Sequence, residues 1–415
     1  MMNGPISAAE ASQLILDSLV HMPVERVPLA AAQDKVLAET VTASVSIPPW
    51  RSASMDGYAV RAADIAKVPC TLSVAGDISA GGVRLSPLVD GTAIRIMTGA
   101  PVPEGADTVV RVEDTNAGAQ TVEVLNARDA LRNVRPLGED FRAGDVLLAS
   151  GERLGAAALG VLASSGNATV SVHRAPTVAI VASGDELVRA DNFAGVINAE
   201  RIVSSNSYSL PALVRDAGGL PRDGGITRDD PLALRNAIEE VMACDLLITT
   251  GGVSVGERDF TRQVMREMGV DIKFWRVRIR PGGPLVFGTL DGLPWIGLPG
   301  NPVSAMVTFE LFVRPAIRKM LGQRLVFPVP QIVTLDEQVN LGAGLAHYLR
   351  VVVEQTNDGL HARLTGSQSS GVLTSMMRAN ALLIVPEGKR ECKAGEQFHA
   401  VLSRGSMLRC DTFPA

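Results

Sequence analysis

The stretch PTVAIVASGDEL at residues 176–187 decides how this chain folds. An apolar run from Val178 to Ala182 stops abruptly at a loop of serine, glycine and two acids. Residues 245–252, DLLITTGG, repeat this pattern. A short apolar run bounded by turn residues is typical of a strand that is buried on both faces. We therefore predict two buried strands, each followed by a loop that contains glycine.

Helical patterns separate and follow these strands. Residues 205–219 have helical periodicity and end at two glycines, and residues 229–242 begin with two aspartates and a proline. Further helices are predicted over 256–269 and, as one long helix, over 300–322. Strands that alternate with helices of 10–15 residues indicate βαβ units. Residues 176–325 are therefore predicted to form a doubly wound α/β domain around a mostly parallel sheet.

The segments on either side of this unit have a different texture. Residues 6–44 and 142–175 are predicted to form one small helical or mixed domain from two chain segments, with a helix after Ser7 and a short amphipathic helical run over 29–40. Short β-rich segments between Gly, Pro and Asn turns predict an inserted β domain over 45–141 and a C-terminal β domain over 326–415. The predicted fold class is thus multidomain α/β, with a central doubly wound sheet and β-rich inserted and C-terminal domains.

Composition excludes several classes of protein. The 415 residues carry a formal net charge of −5, which argues against a nucleic-acid partner. The four cysteines and five histidines are scattered without zinc-ligand spacing, so a soft-ligand metal site is not expected. No window approaches the roughly 18 apolar residues of a membrane span, and no secretory signal precedes the first helix. We expect a cytoplasmic protein that does not bind membranes.

Four loops of the α/β unit leave the carboxyl ends of strands, where open parallel sheets bind ligands. Two of them lead into helices at about Glu257 and Pro302, whose free N–H groups favour an anion. Glycine in these loops lets backbone N–H groups approach a phosphate closely, although glycine turns also occur wherever a strand meets a helix. The predicted ligand bears phosphate, and the predicted binding residues are Ser183, Gly251, Gly252, Ser254, Gly300, Asn301 and Ser304.

Carboxylates gather at the same predicted edge. The carboxylates that follow strands or precede helices are Asp185, Glu186, Asp229, Asp230 and Asp259, and oxygen ligands without cysteine suit Mg²⁺. Of these, the sequence favours Glu186 and Asp259 as metal ligands. For Asp229 and its neighbour Asp230 a pair of helix N-caps is an equally good interpretation.

A row of arginines leads into the glycine loop PGGP at residues 281–284. If the preceding residues from 271 form a strand, Arg276, Arg278 and Arg280 lie on one face, about 7 Å apart. Guanidinium groups bind phosphate in a bidentate manner, so a phosphate clamp is one interpretation. An exposed edge strand with solvated arginines is the other.

Six motifs occur together in a fixed order, and they cover nearly the whole chain. They are SMDGYAV (54–60), IRIMTGAPVPEGADTVV (94–110), GED (138–140), SGDEL (183–187), TTGGVSVGERDF (249–260) and GLPGNPVSAMVTF (297–309). In these motifs the chain resembles the molybdopterin molybdenumtransferase family, also called the MoeA family, to which the E domain of gephyrin is related.

The resemblance implies a reaction and a set of site residues. It implies Mg²⁺-dependent insertion of molybdate into adenylylated molybdopterin, with release of AMP. It implies Asp56, Thr98, Glu186 and Asp259 as catalytic residues, and Glu186, Asp229 and Asp259 as the metal ligands. Substrate-binding roles are implied for Arg276, Arg280, Arg350 and Ser370.

The resemblance also implies an assembly. It implies a four-domain, elongated homodimer, in which the α/β domain of one subunit and the β modules of the other enclose the active cleft. It also implies the molybdopterin adenylyltransferase as a candidate partner.

The chain departs from the family pattern at donor positions. Gly283 replaces the lysine of a PGKP loop, Pro136 and Leu137 replace two arginines before GED, and Ala53 replaces a serine. These changes and the relation to gephyrin leave two alternatives to the transferase open. One is a divergent paralog that binds molybdopterin or another phosphorylated ligand without efficient metal insertion, and the other is a non-catalytic interaction protein like the gephyrin relative.

Overall fold

The computed structural model describes residues 4–81, 87–252, 260–342 and 344–403. The chain begins with helix α1 (Ala8–Asp17), where Ser7 and Glu10 form the reciprocal hydrogen bonds of a capping box, as the sequence predicts. Strand β1 (Val24–Pro28) and strand β2 (Val41–Thr42) follow.

The helix predicted over residues 29–40 is wrong. Only a 3-10 turn, Leu29–Ala31, forms there. Asp34 has a φ of 65°, a left-handed conformation that ends a helix. The N–H groups of Leu37 and Ala38 donate to the carbonyls of Glu152 and Ser171, so distant partners replace the helical ones.

The inserted module is built of short strands, as predicted. Its central sheet has the order β7-β4-β6-β5-β8, and β3 pairs with β9 in a separate two-stranded sheet. The strands are β3 (Ser52–Ala53), β4 (Gly57–Val60), β5 (Cys70–Ile78), β6 (Thr92–Ile96), β7 (Thr108–Arg111), β8 (Thr121–Val124) and β9 (Val134–Arg135). Two 3-10 turns, Ala62–Ile65 and Val112–Asp114, connect them.

The chain then returns to its N-terminal segment. Strand β10 (Val146–Leu148) pairs with β2, and after helix α2 (Ala156–Ser164) strand β11 (Thr169–His173) pairs antiparallel with β1. The strands that flank the inserted module therefore hold its two ends together.

The α/β unit contains the sheet that positions the site. Its sheet has the order β15-β12-β16-β20-β19-β17, parallel from β15 to β20 and antiparallel beyond. The elements are β12 (Thr177–Ser183), β13 (Leu187–Val188), α3 (Ala194–Ile197), β14 (Ile202–Val203), α4 (Asn206–Ala217), β15 (Leu220–Thr227), α5 (Pro231–Val241), β16 (Leu246–Thr250), α6 (Phe260–Glu267), β17 (Asp271–Phe274), β18 (Ile279–Arg280), β19 (Val286–Leu290), β20 (Leu293–Leu298), α7 (Pro302–Thr308) and α8 (Arg314–Met320).

Both faces of this sheet are buried, which confirms the doubly wound class. Ile180 and Ile248 lie in a core with helices α1, α4, α7 and α8, whereas Val181 and Leu247 lie in a second core with α5 and α6. Successive residues of a strand point to opposite faces, so an unbroken apolar run fills both cores.

The last helix of this unit is not regular, contrary to the prediction. A π-helical segment, Phe309–Val313, separates α7 from α8. It places Glu310 so that its carboxylate accepts from Arg314 Nε and Nη2 at 2.6 and 2.7 Å. Arg314 is 5% exposed, and this ion pair keeps its buried charge compensated.

The C-terminal sheet includes β18, a strand that belongs to the α/β unit in sequence. Its order is β18-β23-β24-β21-β27-β25, with β25 also pairing with β23, and β22 pairs with β26 beside it. The elements are β21 (Gln331–Leu335), β22 (Val339–Asn340), β23 (Ala346–Thr356), β24 (Gly359–Leu364), α9 (Leu373–Arg378), β25 (Ala381–Val385), β26 (Glu391–Cys392) and β27 (Gln397–Leu402). Within the described ranges, no helix has the length and apolar character that crossing a bilayer requires.

A buried ion pair in the inserted module gives a stability prediction. Asp129, 1% exposed, accepts from Arg111 Nε and Nη2 at 2.9 Å, and these hydrogen bonds lower its pKa from 3.8 to about 2. A lowered pKa stabilises the folded state above the unfolded-state pKa, and this contribution is lost as the pH falls from about 4 to about 2. We expect Asp129→Asn to cost about 2 kcal/mol of unfolding free energy at neutral pH.

Thermal melting from pH 7 down to pH 2 tests this. The melting temperature of Asp129→Asn should start lower than that of the wild type and fall less steeply below pH 4. Asp77→Asn is the matched control, because that exposed carboxylate in the same module lies 3.8 Å from Arg95. Equal melting curves for the two variants would contradict the prediction.

Candidate active site

One large cleft opens where the parallel strands of the α/β unit end. Its volume is about 1330 Å³, and it lies between this sheet edge and the C-terminal sheet. The loops after β12, β16 and β20 and the loop of residues 280–284 all line it, as the sequence predicts. The glycine-containing loops are therefore gathered at one edge and open to solvent.

Two glycines allow the loop after β16 to pack against β12. Gly251 has a φ of +98° and Gly252 a φ of +63°, both in the left-handed region. A Cβ on Gly251 would lie 2.4 Å from the Ser183 carbonyl oxygen, and one on Gly252 would lie 2.3 Å from Thr261 Oγ1. A side chain at Gly251 would push the loop away from the end of β12, and one at Gly252 would push it away from α6.

An asparagine that the sequence analysis missed ties the next loop to this one. Asn206, 6% exposed, donates from Nδ2 to Thr250 Oγ1 at 2.8 Å and to the Gly300 carbonyl at 2.9 Å. Thr250 Oγ1 in turn donates to the Pro299 carbonyl. Its position at the start of a helix resembles a cap in the sequence, so no pattern distinguished it.

The carboxylates separate into two roles. Glu186 and Asp229 line the cleft, and the Asp185 carboxylate accepts from the backbone N–H of Asp229 at 3.3 Å. Asp230 instead caps α5 by accepting from the backbone N–H of Ala233 at 2.8 Å. The alternative of an N-cap pair thus holds for Asp230, whereas Asp229 is left available to a ligand.

Arg350 is the buried cation of the cleft. It is 1% exposed, and its guanidinium donates to Ser375 Oγ and to the Ser369 carbonyl, both at 3.2 Å. No carboxylate pairs with it among the described residues, and burial lowers its pKa to about 10. A buried positive charge that neutral oxygens alone solvate, and that faces a cleft, is suited to bind an anion.

The predicted row of three arginines is wrong. The strand breaks after Phe274, and β18 comprises only Ile279 and Arg280. Arg276 packs 5.0 Å from the Trp275 ring, outside the cleft lining. Arg278 donates to Glu387 and to the Pro5 carbonyl, so the packing of the N-terminal segment and the C-terminal domain redirects it.

Only Arg280 of that row lines the cleft. Gly283 lines it too, with a φ outside the left-handed region, and a Cβ there would lie 3.2 Å from the Ile279 carbonyl. The backbone conformation at position 283 therefore does not require glycine. Because glycine has no side chain, the cleft has no side-chain hydrogen-bond donor at this position.

The C-terminal domain reaches the loop before α7. Asn301 Nδ2 donates to Ser370 Oγ at 3.0 Å, and the N–H of Val303 donates to the Ser370 carbonyl. Helix α7 begins at Pro302 as predicted, but this contact uses one of its first N–H groups. Ser304 also lines the cleft. Ser254, Glu257 and Asp259 lie outside the described residues.

Asp56 and Thr98 lie together but not in this cleft. Asp56 Oδ1 accepts from the Thr98 backbone N–H and from Thr98 Oγ1, both at 2.7 Å, and these hydrogen bonds lower its pKa. A second hollow of about 550 Å³ lies nearby in the inserted module, lined in part by Gly99, Arg135 and Asp140. One chain thus presents two separate concave surfaces.

The fold and the two concave surfaces define a multidomain α/β protein with a large open cleft at the edge of its parallel sheet. Three family models match it in order. They are the MoeA N-terminal region (domain I and II) over residues 6–166, a probable molybdopterin binding domain over 179–319 and the MoeA C-terminal region (domain IV) over 333–402.

Similar proteins agree with these matches. A molybdopterin molybdenumtransferase of Nostoc sp. is 37% identical over 392 residues, 92% of this chain and 88% of the relative. One of Staphylococcus epidermidis is 32% identical over 410 residues, 97% of this chain and 96% of the relative. The crystal structure of the molybdopterin biosynthesis MoeA protein of Pyrococcus horikoshii superposes with a TM-score of 0.83 at 29% identity, over 96% of this chain and 100% of that one. The chain belongs to the molybdopterin molybdenumtransferase (MoeA) family, enzymes of molybdenum cofactor biosynthesis.

The glycine contacts give a prediction about the cleft. Gly251→Ala forces a Cβ against the Ser183 carbonyl in a left-handed backbone, so we expect a loss of about 1–3 kcal/mol of stability and a displaced loop. Gly371→Ala also adds a methyl group to the cleft lining, but no atom lies within 4 Å of it. Melting temperatures of both variants check the prediction, and a Gly251→Ala protein as stable as Gly371→Ala would refute it.

Proposed function

We propose that this protein inserts molybdate into adenylylated molybdopterin in a Mg²⁺-dependent step that releases AMP. A cleft of about 1330 Å³ holds a ligand of that size, and the gathered glycine loops offer backbone N–H groups to its phosphates. Molybdate is an oxyanion substrate, and the dithiolene sulfurs of the pterin bind the metal. The protein then needs no cysteine ligand.

The observation that carries the proposal is the buried, carboxylate-free guanidinium of Arg350. Ser375, Ser369 and Gln368 fix its position, since Gln368 also exchanges hydrogen bonds with its backbone. A preorganised cation of this kind binds an oxyanion without reorganising. Arg350 would hold molybdate or a substrate phosphate in the cleft.

The donor set of the cleft also fits Mg²⁺. Glu186 and Asp229 supply carboxylate oxygens from adjacent strand ends, and Mg²⁺ commonly uses one or two carboxylates together with substrate phosphates. When bound, it would neutralise charge that develops on the phosphates as the anhydride is cleaved. Asp185 would keep Asp229 directed to the cleft through its hydrogen bond to the Asp229 N–H.

We further propose that the active unit is a homodimer. Asp56 and Thr98 lie outside the cleft of their own chain, so catalytic roles for them require a second copy to present its inserted module to the cleft. The Asp56 carboxylate, held ionised by two donors, would then face the substrate as a fixed negative charge.

A second candidate function rests on Gly283. Because this residue lines the cleft without a side-chain donor, the protein could be a divergent paralog that binds the phosphorylated pterin without efficient insertion. Ligand binding without molybdate-dependent release of AMP would favour this candidate over the transferase.

Arg350 variants test the proposed role of the buried cation. We expect Arg350→Gln to weaken oxyanion binding about 10- to 100-fold and to abolish molybdate-dependent release of AMP, because one charge-assisted contact is lost. Arg350→Lys keeps the charge but not the planar fork, so an intermediate loss is expected.

Arg363→Gln is the matched control, because this exposed arginine on the neighbouring strand pairs with Glu354. Melting temperatures exclude unfolding as the cause. Undiminished release of AMP by a folded Arg350→Gln protein would contradict the proposal.

Two adjacent aspartates test the metal site. Asp229→Asn removes a charged oxygen from the cleft, so we expect at least a tenfold higher Mg²⁺ concentration for half-maximal activity. Asp230→Asn preserves the helix cap, because asparagine caps as well as aspartate, and should retain the wild-type Mg²⁺ requirement. The measurement is activity as a function of Mg²⁺ concentration. Equal Mg²⁺ concentrations for half-maximal activity in the two variants would exclude Asp229 as a ligand.

A further inference from the structure

A buried histidine that the proposed reaction does not use lines the cleft. His347 is 3% exposed and lies on β23, in register with Arg280 of β18 on one side and with Val385 of β25 on the other. Histidine changes its charge near neutral pH. The protonation state of a buried histidine beside a permanent cation is therefore sensitive to a charged ligand in the cleft.

The hydrogen bonding of the ring fixes its tautomer. His347 Nε2 lies 3.2 Å from the Gly342 carbonyl oxygen, and a carbonyl only accepts, so Nε2 carries the hydrogen. The neutral ring therefore keeps Nδ1 as its unprotonated nitrogen, where a second proton can bind.

Arg280 and His347 converge on the same backbone segment. A Cβ on Gly342 would lie 3.4 Å from Arg280 Nη1, so the guanidinium and the imidazole both lie against this glycine. No carboxylate pairs with Arg280 in the described ranges, although every other arginine of residues 276–280 has a partner. This part of the cleft wall is cationic and uncompensated.

We propose that Arg280 and His347 form an oxyanion subsite in which His347 is neutral when the cleft is empty and takes up one proton when a dianion binds. This inference rests on the proposed function only for the class of ligand, a tetrahedral oxyanion or phosphate. One permanent and one acquired positive charge would then face the two negative charges of the ligand.

The surroundings of the histidine support a neutral resting state. Arg280 is the charged group that faces it from β18, and its partner on β25, Val385, is apolar. Glu387, which follows β25, is occupied by Arg278. Burial and the Arg280 charge lower the pKa of His347, against a smaller opposing effect of the Gly342 carbonyl.

The direction in which anion affinity changes with pH follows from this arrangement. An anion beside His347 favours the protonated ring, so its pKa is higher in the complex than in the free protein. Anion affinity is therefore highest below both pKa values and is lost as the pH rises through them. Binding should be accompanied by net uptake of protons.

Sulfate is the probe, because it remains a dianion across the pH range used. We expect isothermal titration of the full chain to show roughly 3- to 10-fold tighter binding at pH 6 than at pH 8, corresponding to a pKa rise of up to about one unit. Repeating the titration in buffers of different ionisation enthalpy should reveal proton uptake.

His347→Gln cannot titrate but keeps an N–H for the Gly342 carbonyl, so its sulfate affinity should not vary with pH and proton uptake should vanish. His361→Gln is the matched control, because this histidine of the same sheet bonds to Asp336 away from the cleft. It should behave as the wild type does.

A second measurement needs no variant. In the wild type, the imidazole C2–H resonance of His347 should titrate at higher pH when sulfate is present, whereas that of His361 should not shift. Either equal pH dependence in wild type and His347→Gln or a His347 pKa unchanged by sulfate would overturn the subsite. Absence of molybdate-dependent AMP release, with pH-dependent sulfate binding intact, would instead overturn the proposed function alone.

Discussion

The site depends on the close approach of two strand ends at the edge of the parallel sheet. Backbone of the Gly251 loop lies against the Ser183 carbonyl where a Cβ would come within 2.4 Å, so the cleft floor exists only because a side chain is missing there. Asn206 then fastens the next loop to the same edge through Thr250 and Gly300. Three loops from distant parts of the chain thereby become one surface, and Glu186 and Asp229 are carried to it by the strands that precede them.

The sequence predicts the parts of the molecule that local chemistry determines. The unbroken apolar run of β12 requires a strand buried on both faces, and the Asp230–Pro231 pair begins a helix, because burial and capping depend on residues near in sequence. The run over 29–40 has helical periodicity too. It fails as a helix because partners more than 100 residues away take its N–H groups, and no local pattern encodes them.

The same distinction explains which site residues sequence reasoning finds. Gly251 and Gly252 are visible because strand, glycine and helix follow one another in a short segment. The arginine row shows the limit. Alternation along one strand would place the three side chains on one face, but the strand breaks after Phe274. The Trp275 ring and Glu387 then hold Arg276 and Arg278 away from the cleft. His347 has no motif, and only the pairing of β18 with β23 places it beside Arg280.

The division of charge between two sheets gives the cleft its chemistry. The carboxylates Glu186 and Asp229 follow strands of the α/β sheet, whereas Arg280 and Arg350 belong to the C-terminal sheet, which β18 joins by leaving its own unit. An ion pair between the two sets would leave neither charge available to a ligand, as the pairing of Arg278 with Glu387 does for Arg278. Tyr348 and Leu382 pack into the core of the α/β unit, so apolar burial holds the two sheets in place. Separation of the charges is thus maintained by the hydrophobic contact between domains, and a ligand that carries both phosphate and a bound cation can bridge them.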